Sequence, residues 1–181
     1  LPPGVQFVPA EVHLIDHAAQ KVRTEQGDFP YDFLVCALGC RTAPEEIDGM
    51  AASMGRGVHS FYTLEDARAM QAPLAAMTEG RLVVDICEMP IKCPVAPLEF
   101  AFLADWHFRE RGVRDRIDIA LVTPYTGAFT KPNANRILSK VAADKGIRVV
   151  PNFATAAVDA DRRQIRTYDG RTVDYDLLCA I

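Results

Sequence analysis

No run of apolar residues in this sequence reaches the roughly 18 positions that a membrane-crossing helix needs. Nor does any cluster of lysine and arginine mark a face for nucleic acid or anionic lipid. Bases are outnumbered: 20 Lys and Arg against 24 Asp and Glu leave a formal net charge of −4, and nucleic-acid binding is set aside. The five cysteines, Cys36, Cys40, Cys87, Cys93 and Cys179, are an odd number spread over 181 residues. A chain that long folds without staples, so free or redox-active thiols are a better reading than a secreted disulfide framework. No Cys-x-x-Cys pair or histidine at ligand spacing accompanies them, and no metal site is expected. Leu1-Pro2-Pro3 has neither the basic start nor the apolar core of a signal peptide. What is present is 49% hydrophobic and 24% charged residues, the composition of a globular chain that buries one large domain or two small ones.

The first forty residues read as short strands at Val5–Val8, Glu11–Ile15 and Lys21–Thr24 with a turn at Gly27-Asp28, a small antiparallel meander. Tyr31 to Gly39 is a continuous apolar run ending in glycine, the pattern of a strand buried on both faces. Such a strand needs partners that these residues do not supply, so sequence before Leu1 is expected. Pro44, Gly49, Gly55 and Gly57 give residues 41–57 linker character. The domain boundary is placed there, with residues 1–50 the end of a first domain and 51–181 a second. A helix is expected from Thr63 to about Met77, a buried strand at Arg81–Ile86, a helix ending at Gly112, and a strand at Ile117–Val122. A third helix from about Asn133 to Lys145, closed by Gly146, leads to a strand at Ile147–Val150. Strand and helix in alternation define an α/β fold, a Rossmann-like parallel doubly wound sheet with flanking helices. Strands at Ala154–Val158 and Gln164–Tyr168 and a last one at Asp176–Ile181 add an antiparallel meander. The chain stops inside that last strand, so more is expected beyond it.

A Rossmann unit that binds a dinucleotide needs glycines directly after its first strand, where the backbone meets the pyrophosphate. The corresponding stretch, Cys87 to Glu99, holds none, and the second strand ends Val122-Thr123-Pro124 without an acid for a ribose hydroxyl. Nicotinamide binding by this domain is therefore not expected. In place of the glycines stands Cys93, flanked by Lys92 and Pro94 ahead of a helix, and both the cation and the helix favour a thiolate. Pro97 fits the first helical position best, which leaves Cys93 some residues upstream of the dipole.

At these residues the sequence becomes familiar. Met89-Pro90-Ile91-Lys92-Cys93-Pro94-Val95-Ala96-Pro97 with Phe102-Leu103-Ala104-Asp105 resembles the active-site cysteine segment of sulfide:quinone oxidoreductases, flavoproteins of the pyridine nucleotide-disulfide oxidoreductase superfamily. Gly27 to Cys40 resembles that superfamily's strand "G-x-x-x-Y-D-x-L-V-x-A-T-G", with Leu38 where threonine is usual and Cys40 where a small polar residue is common. Asp169 to Leu178 resembles the matching segment that closes the second domain. The resemblance implies that the N-terminal part is what remains of an FAD domain and that Val12, Ala37 and Gly39 lie against FAD. It also implies that Cys93, with a partner cysteine outside this chain, takes sulfur from sulfide and passes electrons through FAD to quinone. The glycine loop for FAD and the membrane-facing C-terminal helices of the family have no counterpart here. The isolated piece is thus expected to be inactive and without FAD, and peripheral membrane contact to belong to the intact parent.

Plainer readings stand beside these. Cys36 and Cys179, in apolar strands, read as core packing. Cys87, six residues before Cys93, makes a loop disulfide conceivable. His107, between Trp106 and Phe108, reads as a helix-surface histidine, and Glu99 as a favourable charge in a helix's first turn rather than a proton relay. His13, His17 and His59 form no constellation. The runner-up activity is a pyridine-nucleotide-dependent flavin oxidoreductase of the type II NADH dehydrogenase kind. A non-catalytic domain in which Cys93 is incidental is the third reading.

Overall fold

Alternation of apolar and polar side chains makes strands of Val12–Asp16 (β1), Lys21–Thr24 (β2) and Gly27–Pro30 (β3), which pair antiparallel in the order β1-β2-β3. The first connection is fastened by Asp16, whose carboxylate accepts from the Ala19 amide at 3.0 Å and the Arg23 guanidinium at 2.7 Å. The second turn falls at Glu25-Gln26, where Thr24 Oγ1 accepts from the Gln26 amide at 3.1 Å. Gly27-Asp28, expected as the turn, instead opens β3, because Thr24 Oγ1 closes the turn one step earlier by donating to the Gly27 carbonyl at 2.9 Å. Val5–Val8 forms no strand. The computed structural model describes residues 1–181, and this meander belongs to the first of its two compact units, Leu1–Cys40 and Arg41–Ile181.

The run Tyr31–Gly39 is neither a strand nor buried. After the Tyr31 amide, which donates to Gln20 O at 2.9 Å, it lies unpaired, with Phe33 95% and Val35 87% exposed. Its composition is that of a central strand, but a strand exists only through its neighbours' hydrogen bonds, and past Tyr31 the first unit offers none. Cys36, expected in a core, is exposed for the same reason.

In the second unit, residues 41–57 are structured rather than a linker. They carry a 3-10 turn at Pro44–Glu46 and the short helix α1, Met50–Ser53, whose Met50 is buried. Gly49, at φ +72°, sits so close to Val158 that a Cβ would run into that residue's carbonyl oxygen, while the Val158 amide donates to Asp48 O at 2.8 Å. Gly49, counted toward linker character in the sequence, is therefore a point of close approach.

From there the alternation expected from sequence appears. Val58–His59 (β4) is followed by α2, Leu64–Ala76, capped by Thr63 Oγ1, which accepts from the Asp66 amide at 3.0 Å. Next come β5 (Gly80–Asp85), α3 (Ala96–Glu110), β6 (Ile117–Val122), α4 (Pro132–Asp144) and β7 (Ile147–Val150). Pro132 starts α4, and Gly146 lies just beyond its end at φ +67°. The chain closes with β8 (Thr155–Asp159), β9 (Gln164–Thr167), β10 (Thr172–Asp174) and β11 (Leu177–Ala180).

Five strands form a parallel sheet in the order β4-β11-β5-β6-β7, while β10-β9-β8 is a separate antiparallel sheet. Side chains alternate across the parallel sheet. Leu82, Val84, Ile119, Leu121, Leu177 and Cys179 pack in one cluster with Met70 of α2, Phe108 of α3 and Ala142 of α4. Val83, Ala120, Val122, Leu178 and Ala180 face the other way, into a cluster with Val158, Ile165 and Tyr175 from the antiparallel meander. Helices thus cover one face and the meander the other, the arrangement for which near-continuous apolar strands are needed.

Below the sheet, Asp105 of α3 is fully buried and receives Arg109 at 3.0 Å, Arg114 at 2.7 Å and Lys145 at 3.2 Å. Burial raises its carboxyl, but the hydrogen bonds from Arg109, Arg114 and Lys145 outweigh this and hold it below the ordinary value. The same cations reach backbone: Arg109 and Arg114 both donate to Lys145 O at the end of α4. Removing the anion leaves the largely buried Arg114 guanidinium without its carboxylate, so Asp105→Ala is expected to lower unfolding free energy by about 3 kcal/mol. Urea denaturation of the chain, read as a shift in midpoint at constant slope, measures this.

Candidate functional site

In an open α/β sheet, ligands and reacting groups gather beyond the C-terminal strand ends where the strand order reverses. Here the crossovers from β5 step to β6 and then β7, whereas β11 lies on the opposite side of β5. The segment after β5, residues 86–95, leaves the sheet at that switch point and carries Cys93.

Cys93 is exposed and free, as are Cys36 and Cys40, while Cys87 and Cys179 are buried free thiols. Exposed Cys93 and buried Cys87 make no loop disulfide. Pro90, Pro94 and Pro97 remove amide donors from this segment, so it offers neither the glycine conformations nor the N–H groups of a phosphate cradle. Helix α3 begins at Ala96, with Val95 as its N-cap and Pro97 as its second residue. Sequence placed Pro97 first. Cys93 accordingly precedes the cap by two residues, and its carbonyl accepts from the Ala96 amide at 3.2 Å, which ties the thiol's residue to the start of the helix.

A neighbouring loop supports it. Tyr62 Oη donates to the Cys93 carbonyl at 3.5 Å, and the Lys92 ammonium lies 5.5 Å from the centre of the Tyr62 ring. Phe61, next in line, stacks on Phe100 of α3 with centroids 5.0 Å apart. The cysteine segment is thus braced from the loop between β4 and α2, a contact that sequence spacing could not disclose. Glu99 is exposed in the first turn of α3, as expected of a helix-end charge. His107 differs from expectation. It is half-buried, and its Nε2 is buried without a partner.

Directly beneath the segment lies a group the sequence reading passed over. Asp85, the last residue of β5, is 0% exposed. Its Oδ2 accepts from Thr155 Oγ1 at 2.8 Å and lies 3.4 Å from Cys87 Sγ, while Oδ1 has no partner. Burial pushes its carboxyl up to about 7 against the opposing pull of the Thr155 and Cys87 hydrogen bonds. Burial, and then the nearby Asp85, push the Cys87 and Cys179 thiols well above their usual range. A signal was available in Leu82-Val83-Val84-Asp85-Ile86, an acid inside an otherwise apolar strand. His59, at the end of β4, is also buried, and desolvation lowers its imidazole despite the opposing charge of Asp66.

The residues that the resemblance sets against FAD belong to the other unit. Val12 opens β1 and is exposed, and Ala37 and Gly39 lie in the unpaired exposed run, Gly39 at φ +71°. No group of His, Cys, Asp and Glu is arranged to hold a metal ion, and no helix is long and apolar enough to cross a membrane.

A parallel sheet covered by helices on one face and a β-meander on the other is a fold this chain shares with solved structures. The sulfide:quinone oxidoreductase of Aquifex aeolicus superposes with a TM-score of 0.72 and 22% identity, covering 97% of this chain and 42% of that one. Sequences bearing the same name are also similar to this chain. The chain is 24% identical over 186 residues to the mitochondrial sulfide:quinone oxidoreductase of Dictyostelium discoideum, covering 98% of this chain and 41% of that protein. It is 26% identical over 176 residues to the sulfide-quinone reductase of Aquifex aeolicus strain VF5, covering 93% and 40%. The resemblance seen in the sequence is therefore a homology over nearly the whole chain, and the chain spans about two-fifths of the length of these relatives. No family model matches it.

Exposure decides which thiols can react. Under native conditions iodoacetamide is expected to modify Cys36, Cys40 and Cys93 and to spare Cys87 and Cys179 until the protein is denatured. Mass spectrometry of peptides before and after unfolding reads this, and a protected Cys93 would remove it from consideration as a nucleophile.

Proposed function

We propose that this chain is the part of a flavin-dependent sulfide:quinone oxidoreductase that carries one redox cysteine, Cys93, with Val12, Ala37 and Gly39 on the flavin side. The observation that carries the reading is the position of an accessible cysteine, in a glycine-free and proline-rich segment, at the sheet's switch point. Relatives bearing the sulfide:quinone oxidoreductase name align across that position.

The chain's own residues fit a thiol role. Cys93 is presented, exposed, just ahead of a 15-residue helix and next to Lys92 in the chain. Tyr62 and the Ala96 amide fix its backbone. In this reading sulfide attacks a disulfide between Cys93 and a partner cysteine outside this chain: a new S–S bond forms as the old one breaks, leaving a persulfide on one sulfur and a thiolate on the other. FAD, when bound, would supply the two-electron acceptor that restores the disulfide. Quinone takes the two electrons last. In the first unit, Gly39, with a left-handed backbone and open space where a Cβ would stand, is a residue at which a flavin ring could approach the chain.

The nicotinamide alternative has less support. The segment after β5 lacks glycine, and Thr123, where a ribose-binding acid would stand, is a buried hydroxyl that accepts from the Tyr125 amide at 3.1 Å.

Two outcomes test the reading. In a full-length enzyme carrying this stretch, Cys93→Ser is expected to cut sulfide-dependent quinone reduction by at least about 1,000-fold while the bound flavin keeps its absorption spectrum, because a nucleophile and not a fold element is lost. Retained activity would leave only the fold. Titration of the 181-residue chain with NADH is expected to show no saturable binding in the micromolar range by calorimetry, and a saturable isotherm would favour the pyridine-nucleotide reading.

A further inference from the structure

Asp85 has no part in the mechanism above, yet it sits at the root of the segment that carries Cys93. Three backbone links meet there. The Ile86 amide donates to Val122 O at 2.9 Å, the Cys87 amide to Ile181 O at 2.9 Å, and the Thr155 amide to Cys87 O at 3.3 Å. Asp85 joins them through its side chain, with Thr155 Oγ1 of β8 on one side and Cys87 Sγ on the other, both on Oδ2. The pocket is closed, for Asp85 is 0% and Cys87 5% exposed. Among the groups packed around it, Cys87 from the segment and Cys179 from β11 are titratable and Thr155 from β8 is a neutral donor. No Lys, Arg or His pairs with it.

A buried carboxyl in such surroundings is tolerated neutral and costly as an anion, the more so because Oδ1 has nothing to receive. We propose that Asp85 is a proton-operated latch: while it holds its proton it clamps the root of the Cys93 segment to the meander, and giving up the proton favours release of that root. As a control on sulfur chemistry this rests on the function proposed above, but as a property of the fold it does not.

The sign follows from linkage. A carboxyl whose value is about 7 in the closed state and ordinary in the open state binds more protons when closed. Opening therefore rises about tenfold per pH unit between about 5 and 7 and levels off above. Both thiols facing it titrate higher still, so the first proton to leave is that of Asp85.

Hydrogen exchange of the chain between pH 5 and 8, corrected for intrinsic rates, tests this without sulfide, flavin or quinone. Protection at the Cys87 and Thr155 amides is expected to fall about 100-fold from pH 5 to 7 and then flatten, while amides of β6 and α4 stay level. In Asp85→Asn the fall disappears. In Thr155→Val, which removes a hydrogen bond that lowers the carboxyl, the levelling moves to higher pH, and this variant decides if Asp85→Asn does not fold. An equal fall in Asp85→Asn, a flat profile in the parent, or a fall shared by β6 and α4 overturns the latch. A flat profile together with a dead Cys93→Ser enzyme would discard the latch and keep the sulfur reading, and the reverse pair would do the opposite.

Discussion

Three cations converge on one buried carboxylate, and the arrangement of the larger unit hangs from that point. Asp105 faces inward from α3 and is reached by Arg109 from its own helix, Arg114 from the 3-10 turn before β6, and Lys145 from the end of α4. Because Arg109 and Arg114 also take the Lys145 carbonyl, the carboxylate fixes where α4 ends and hence where β7 begins. A buried ion pair contributes little net stability compared with an apolar replacement. What this one supplies is register: α3 and α4 end at the same edge of the sheet, so the C-terminal strand ends are left to the site. Asp105 is also the last residue of the motif that gave the family resemblance, and its role within this chain is architectural.

Much of this could be read from the sequence because local rules and tertiary packing agree there. β6 has the expected bounds, β5 and α4 differ from expectation by a residue or so, and Thr63 and Gly146 mark helix ends as capping chemistry requires. Legibility stopped where a residue's neighbours come from far away. Two-residue β4 is too short to carry a period, and exists because β11, more than a hundred positions later, pairs with it at Leu178↔Val58. The same holds for Gly49, whose surroundings are set by Val158, and for residues 41–57, which look like a linker until β8 is placed against them.

The candidate site was legible in one residue and hidden in its supports. Cys93 stood out through what surrounds it in sequence. Tyr62, 31 positions earlier, and Thr155, 70 positions after Asp85, become visible only when the sheet brings strand ends together. His107 shows the limit from the other side, for its aromatic neighbours suggested a surface helix position, whereas helix geometry turns one ring nitrogen inward.

The unpaired run from Tyr31 to Gly39 matters for how the chain behaves in bulk. Phe33-Leu34-Val35-Cys36-Ala37-Leu38 is an uncharged six-residue stretch without proline or glycine, rich in apolar side chains and with its backbone free to pair. Such a stretch is a template for intermolecular cross-β pairing, and two exposed thiols at Cys36 and Cys40 can lock whatever contact forms into a covalent one under air. This segment of the smaller unit belongs to neither core cluster, so concentration and reducing agent are the variables through which its exposure would act on the chain in solution.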